Sequence, residues 1–485
     1  MAESEYSVSI SLQPVWRIGS KITRILSKYA RFVGPGLMIS VSYIDPGNYS
    51  TGVSAGAMFE YKLLFIILMS NIFAVVLQVL CAKLGAITGL NLAENCREHL
   101  PKWLNYILYI LTEVAIIATD LAEVVGMAIA LNILVGLPLP LGVLFTIVDV
   151  LVVLLAYNPD GPIEFVRYFE LFVGVLVAGV VMCFGFELLS IRPSHPADIL
   201  WGFFPSKTLL EPKAVYLSCG ILGATVMPHS LYLGSGLVQP RMRDFDRKHG
   251  LLDESADLQG DQQNYQPSLE SINYCMKYTI AELVISLCTV AIFVNSAILI
   301  VAGATMYQTP EAYDADIYSI HSMLIRYLGA TAGTIFALAL LFSGQSAGIV
   351  CTLSGQMVSE GFIHWTIKPW LRRLITRGIA IVPCFVVSLF VGRKGLSDVL
   401  NASQVVLSLL LPFICAPLIY FTASAKIMRV PIAASPLGTF EYAQLDDEQQ
   451  YKVMNNSKWE QIVVLSVFGL TSFLNLFLIF SVAPR

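Results

Sequence analysis

The sequence predicts an all-α polytopic membrane protein, built as two inverted five-helix halves plus an eleventh helix, with its N-terminus in the cytosol. Three observations predict it. Only 13% of the 485 residues are charged and mean hydropathy is +0.70, whereas a soluble domain carries about a quarter charged residues. Eleven apolar runs are long enough to cross a bilayer. Two of those runs, five apart, are interrupted at their centres by proline beside polar residues.

The bulk numbers also exclude. A formal net charge of −4 gives no reason to expect nucleic acid. The nine cysteines are scattered, mostly in apolar runs, with no C-x-x-C pair. They read as small buried hydrophobes, not as a disulfide framework or thiolate metal site. Residues 1–30 are polar and carry Arg17, Lys21, Arg24 and Lys28 with no apolar h-region. No cleavable signal peptide is expected, so the first apolar run should itself serve for targeting.

The runs lie at 32–57, 61–84, 103–134, 139–157, 165–190, 214–238, 275–303, 321–351, 372–392, 397–423 and 459–482. Leu137–Pro140 and Asn158–Pro162 punctuate the first half as tight turns. The expected organisation is a cytosolic segment at 1–31, a first repeat at 32–190, a second at 214–423, a loop at 424–458 and the eleventh helix at 459–482. The polar stretch 240–273 interrupts the second repeat, and Asp244–Gln266 within it reads as a solvated loop.

A cytosolic N-terminus places most of the 30 lysines and arginines on the cytosolic side. These include Arg17 to Arg31, Lys83, Arg97, Lys102, Arg167, the cluster Arg241 to Lys277, Lys368 to Arg377, and Lys426 to Lys458. Eleven spans then put the C-terminus outside. The N-x-S/T matches at Asn48, Asn401 and Asn455 fall within spans or a cytosolic loop and read as accidental.

The first run breaks the rules of a spanning helix at Ser42-Tyr43-Ile44-Asp45-Pro46-Gly47-Asn48. Proline removes a backbone donor and glycine loosens the turn, so the helix should unwind. Irregular backbone at membrane depth is tolerated only where it is buried in protein or lines a cavity. A carboxylate there costs at least about 2.5–3.5 kcal/mol. The sixth run breaks likewise at Gly223-Ala224-Thr225-Val226-Met227-Pro228-His229. Paired broken helices in equivalent positions point to an inverted-repeat transporter of the LeuT-like kind, with the site between the breaks. An odd number of spans per half requires the halves to be inverted.

The residues at the breaks suggest the cargo. Asp45 offers an anionic oxygen and Asn48 an amide oxygen. Carbonyls freed near Ser42 and Ala224 add neutral oxygens, and Met227 adds a thioether. Sulfur beside hard oxygens favours Mn²⁺, Fe²⁺, Co²⁺ or Cd²⁺ over Ca²⁺ and Mg²⁺. An organic-substrate carrier, such as an amino-acid transporter, is the alternative within the same architecture, but Asp45 would repel a substrate carboxylate.

Asp-Pro-Gly-Asn in the first run and Met-Pro-His in the sixth resemble the paired hallmarks of the natural-resistance-associated macrophage protein (Nramp) family of proton-coupled divalent-metal transporters. The similarity covers roughly residues 30–425 and looks like the fungal branch. Asp120-Leu121-Ala122-Glu123 resembles the family's third span. Gly344-Gln345-Ser346 through Gly355-Gln356 and Glu360-Gly361-Phe362 resemble its transport motif. The resemblance implies that Asp45, Asn48, Met227 and the Ala224 carbonyl bind metal. It implies that Gln404 joins them in some conformations and that Asn295 lies near the ion path.

Glu113, Asp120 and Glu123 share one face of the third span, within roughly 80° at about 100° per residue. Such a stripe reads as a proton relay or a structural ion-pair network. Arg372, Arg373 and Arg377 are its plausible partners. His229, two residues after Met227, should point about 200° away from it in a helix. It suits either a proton acceptor or a packing role, and the resemblance tilts toward the former. His99, His195, His249, His321 and His364 lie at or beyond span ends and are assigned nothing.

The expected function is cotransport of Mn²⁺ or Fe²⁺ with H⁺ into the cytosol by alternating access. The expected location is a plasma, endosomal or vacuolar membrane. Metal and protons are substrates; no cofactor, no nucleic acid and no obligatory protein partner is expected. No nucleotide-binding loop suggests an ATP-driven pump, and no enzyme chemistry is visible. A metal-sensing receptor would need a larger soluble output domain than the polar loops supply.

Overall fold

The computed structural model describes residues 34–156, 163–191, 196–251, 265–309, 312, 315–364, 369–432 and 451–482. The first apolar run forms two helices, α1 (Pro35–Val41) and α2 (Pro46–Phe59). They are followed by α3 (Leu64–Thr88), α4 (Leu92–His99), α5 (Lys102–Val135), α6 (Leu139–Ala156) and α7 (Ile163–Ser190). A short α8 (Pro196–Gly202) leads to the second broken run, α9 (Pro212–Thr225) and α10 (Pro228–Gly236). The chain continues through α11 (Gln239–Lys248), α12 (Leu269–Ser286), α13 (Ile292–Met306), α14 (Ile317–Leu328), α15 (Ala330–Ile363), α16 (Pro369–Phe390) and α17 (Arg393–Ala423). Strands β1 (Arg429–Pro431) and β2 (Tyr451–Val453) pair antiparallel before α18 (Lys458–Val482).

Eight helical stretches among the described residues are long and apolar enough to span a membrane. Their outward faces are apolar: Leu189 on α7, Phe390 on α16 and Phe480 on α18 are all exposed. Such a surface belongs in lipid, and the chain is an integral membrane protein. Capping explains several helix ends. Asn91 and Glu94 form a reciprocal capping box that starts α4. Gly89 and Gly136 take left-handed conformations that stop α3 and α5.

The structure differs from the sequence reading in three places. The eighth apolar run is not one helix over 321–351. Gly329, at φ 94°, separates α14 from α15, which starts later and runs on to Ile363. The hydrophobic periodicity of α14 is that of a helix lying against the bundle, with Ile317, Ile320 and Leu324 buried. The stretch after residue 240 is also more ordered than a solvated loop. Asp246 in α11 is buried and accepts from Tyr265 Oη at 2.6 Å, Ser268 N at 3.0 Å and Ser268 Oγ at 2.5 Å. It ties α11 to the start of α12. Residues 252–264 of that stretch lie outside the described residues. Third, a π-helical turn at Leu287–Ala291 joins α12 to α13.

The first N–H groups of any helix, α1 included, find no acceptor within the helix itself. Glu282 of α12 supplies the acceptors. Its Oε1 accepts from Gly34 N at 2.9 Å and Leu37 N at 3.1 Å, and its Oε2 from Gly36 N at 2.8 Å. The Arg241–Glu170 ion pair, at 3.2 Å, packs against Gly34.

Helix α9 crosses α17 backbone to backbone. A Cβ on Gly223 would lie 1.9 Å from the Gln404 carbonyl oxygen and 2.7 Å from Ser408 N. Only a residue without a side chain fits, as is common where helices pack closely in membranes. Gly223→Ala should therefore lower stability by about 1–3 kcal/mol. The check is the melting temperature of the detergent-solubilised protein, and an unchanged value would mean that α9 and α17 have room to part.

Candidate metal site

The two breaks face each other. In the first, α1 ends at Val41 and α2 begins at Pro46, a good first residue because it has no N–H that needs an acceptor. Asp45 is the N-cap of α2, and its Oδ1 accepts from Asn48 N at 3.0 Å. The freed carbonyls of the break find side-chain donors. Asn295 Nδ2 donates to Tyr43 O at 2.9 Å, and Ser343 Oγ donates to Ile44 O. In the second break, Met227 is the N-cap of α10, with Pro228 again at the first position.

One side chain joins the breaks. Asn48 Nδ2 donates to Asp45 Oδ1 at 2.8 Å and to Ala224 O at 2.9 Å. An amide nitrogen thus sits between two oxygens that a cation could bridge instead. Asp45, Ala224 and Met227 are fully buried, Asn48 and Ser42 nearly so. Asp45 Oδ2, Ser42 Oγ, Gln404 Oε1 and Asn295 Oδ1 are buried with no well-formed hydrogen bond among the described residues. Buried polar atoms are normally paired, and a cluster of unpaired oxygens is what a hard cation requires. The Met227 carbonyl accepts from Ser230 N at 3.0 Å and Ser230 Oγ at 2.7 Å, so its sulfur is the atom left to offer.

Gln404 of α17 packs on Gly47, its Nε2 2.2 Å from where a Cβ would stand, and donates to Ser403 Oγ at 3.1 Å. It borders the Asp45–Asn48 turn on one side and Gly223 on the other. The structure therefore brings Asp45, Asn48, Ala224 and Gln404 together, with Met227 in the facing break and Asn295 behind the first break.

The carboxylate face of α5 resolves into unequal parts. Asp120 and Glu123 are fully buried, whereas Glu113 is partly exposed. Arg377 of α16 donates through Nη1 to Glu123 Oε2 at 2.9 Å and to Asp120 Oδ1 at 3.4 Å, and is itself buried. The side chains of Arg372 and Arg373 lie outside the described residues. Cys351 Sγ lies 3.4 Å from Asp120 Oδ1. Asp120, Glu123 and Cys351 are close enough to share an ion, but the Arg377 guanidinium already supplies a cation to both carboxylates.

His229 is buried, and its Nδ1 lies 3.3 Å from Thr119 Oγ1, next to Asp120. Met227 is non-helical, so the helical offset expected between them does not hold in detail, yet the imidazole does face α5. A polar network escaped the sequence reading. Gln78 Nε2 donates to Tyr43 Oη at 2.8 Å and to Ser230 Oγ at 2.8 Å, and Tyr43 Oη lies 3.1 Å from Ser230 Oγ. A glutamine in the middle of the apolar α3 was the available signal.

A family model described as "Natural resistance-associated macrophage protein-like" matches residues 36–437. Iron transporter SMF3 of Saccharomyces cerevisiae is 58% identical over 410 residues, 84% of each chain. Manganese transporter SMF1 of the same yeast is 55% identical over 423 residues, 84% of this chain and 74% of that one. Among solved structures, the Eremococcus coleocola manganese transporter bound to an aromatic bis-isothiourea compound superposes with a TM-score of 0.76. That pair is 30% identical, and the match covers 95% of this chain and 90% of the other. Mhp1, a nucleobase-cation-symport-1 family transporter in a closed conformation, superposes with a TM-score of 0.54 at 14% identity, over 93% and 90% of the chains. It shares the fold, which is LeuT-like.

Removing the arginine from the buried triad would leave two carboxylates uncompensated. Arg377→Ala should cost about 3–5 kcal/mol, seen as a large drop in melting temperature. The triple change Arg377→Met, Asp120→Asn, Glu123→Gln should recover most of it, and no recovery would count against the ion pair as the cause.

Proposed function

Because the chain belongs to the Nramp family, whose model matches residues 36–437, we propose that it is a proton-coupled secondary transporter of divalent transition metals. Its substrates are Mn²⁺ and Fe²⁺, with Co²⁺ and Cd²⁺, carried into the cytosol by alternating access. The relatives named for iron and manganese transport support this cargo over an organic substrate. The observation that carries the reading is the Asn48 bridge between Asp45 and Ala224 across the two breaks.

In this mechanism a dehydrated Me²⁺ takes the place that the Asn48 amide nitrogen now fills. The amide turns to present its oxygen. Asp45 supplies the anionic ligand, Ala224 a carbonyl, and Met227 the sulfur. Gln404 and Ser42 complete the oxygen set as the surrounding helices close. Asn295 keeps the first break open by holding the Tyr43 carbonyl. The sulfur favours soft-borderline metals, and it makes little of Ca²⁺ or Mg²⁺.

Protons take a different route, away from the metal along α5. His229 contacts Thr119, and the next residues on that face are Asp120 and Glu123 with Arg377. Glu113, on the same face of α5, extends this route toward the cytosol. The two inverted halves supply the motion: α1–α2 and α9–α10 move against a frame that includes α5 and α16. An inward proton gradient sets inward as the direction of net uptake.

Mn²⁺ uptake into proteoliposomes under an inward proton gradient tests the reading. Uptake should exceed that at equal pH on both sides, and Asp45→Ala should abolish it. Uptake by Asp45→Ala at the wild-type rate would sink the site.

The thioether has a separate test. Met227→Ala should still pass Mn²⁺, with added Ca²⁺ or Mg²⁺ now competing roughly tenfold more effectively, a shift of about 1.4 kcal/mol. Unchanged competition would show that the sulfur does not set selectivity.

A further inference from the structure

A second buried carboxylate lies beyond the breaks. Helix α7 runs alongside the broken first span and parallel to it: Glu170 packs at Gly34, Gly174 at Leu37, and Phe184 at Tyr49. Glu187, one turn further, is therefore level with α2, on the side of the break away from α1. It is fully buried, and neither carboxylate oxygen has a hydrogen-bond partner among the described residues.

The contact between α7 and the start of α2 is aromatic. The Phe184 and Tyr49 ring centroids lie 5.4 Å apart, and Phe336 of α15 packs edge-on to both, at 5.9 Å from Tyr49 and 6.4 Å from Phe184. Tyr49 follows Asn48 directly in α2 and lies within electrostatic reach of both Asp45 and Glu187. Acidic side chains inside spanning helices are retained where they meet a water-filled passage, an ion or a partner. Among the described residues no hydrogen-bond partner meets the carboxylate, and Tyr49, packed against Phe184 and Phe336, lies near both it and Asp45. Asp120 and Glu123, by contrast, have Arg377.

We propose that Glu187 is a second cation station, where a divalent metal pauses on the α2 side before the Tyr49–Phe184–Phe336 cluster admits it to Asp45. A hard carboxylate suits a divalent cation that still keeps some of its water. The thioether then discriminates at the second stop. The proposal rests on the reading of Asp45, Asn48 and Met227 as the central site.

The test is Mn²⁺ uptake by the full chain in proteoliposomes, resolved into KM and maximal rate. Glu187→Gln should raise KM roughly tenfold, equivalent to about 1.4 kcal/mol, while the maximal rate stays within about twofold of wild type. Glu187→Asp, which keeps the charge and also guards against misfolding of the amide variant, should restore most of the affinity. An unchanged KM in Glu187→Gln, or a Glu187→Asp variant no better than the amide, would overturn the station. Activity of Asp45→Ala reports on the central site separately, so the two readings fail independently.

Discussion

A helix that comes apart inside a membrane must find partners for every N–H and C=O it frees, because no water stands ready to take them. The architecture around the breaks answers that demand. Asn295 of α13 takes the Tyr43 carbonyl, Ser343 of α15 takes the Ile44 carbonyl, and the Asp45 carboxylate takes the Asn48 N–H in the first turn of α2. The groups that open the helix are thereby fixed in place by helices distant in sequence. The remaining oxygens can then be held unpaired without the turn collapsing on them. Asn48 closes the arrangement by reaching Ala224 in the opposite break. Site and fold are one structure here, since the same hydrogen bonds keep the turn unwound and keep the ligand atoms apart.

Much of this was legible in the amino acids. Proline with polar neighbours in the middle of an apolar run can mean little else in a bilayer, and Asp45, Asn48 and Ala224 do converge. The arginine partner was harder. Arg372, Arg373 and Arg377 all begin the same apolar run, and the sequence offers no way to tell which faces α5; Arg377 is the one that the structure shows paired. Glu113 shares a helical face with Asp120 and Glu123, yet it lies further toward the end of α5 and stays partly exposed. Periodicity gives direction around a helix, but depth along it depends on neighbours. Gln78, Tyr43 and Ser230 were missed for a related reason: each is unremarked alone, and only their meeting is informative.

The charged residues also sort by how they are treated. Asp120, Glu123 and Arg377 neutralise one another and bind α5 to α16. That pairing makes a stiff element, because separating the partners would strand charge in a medium that solvates it poorly. Asp246, nearer the surface, is spent on hydroxyl and backbone donors at the start of α12. Asp45 has one oxygen committed to structure and the other left over among the described residues. Division of labour within a single carboxylate lets the residue hold the backbone and serve a ligand at once.

Helix α1 is seven residues long, well short of the dozen or so that a helix needs to persist by itself. Its opening turn is gathered onto one side chain, Glu282, which receives three of its amide groups. A stub held at a single handle behaves as a door leaf on one latch: with the latch closed it stands rigid, and with the latch released it has no stiffness of its own to keep it upright.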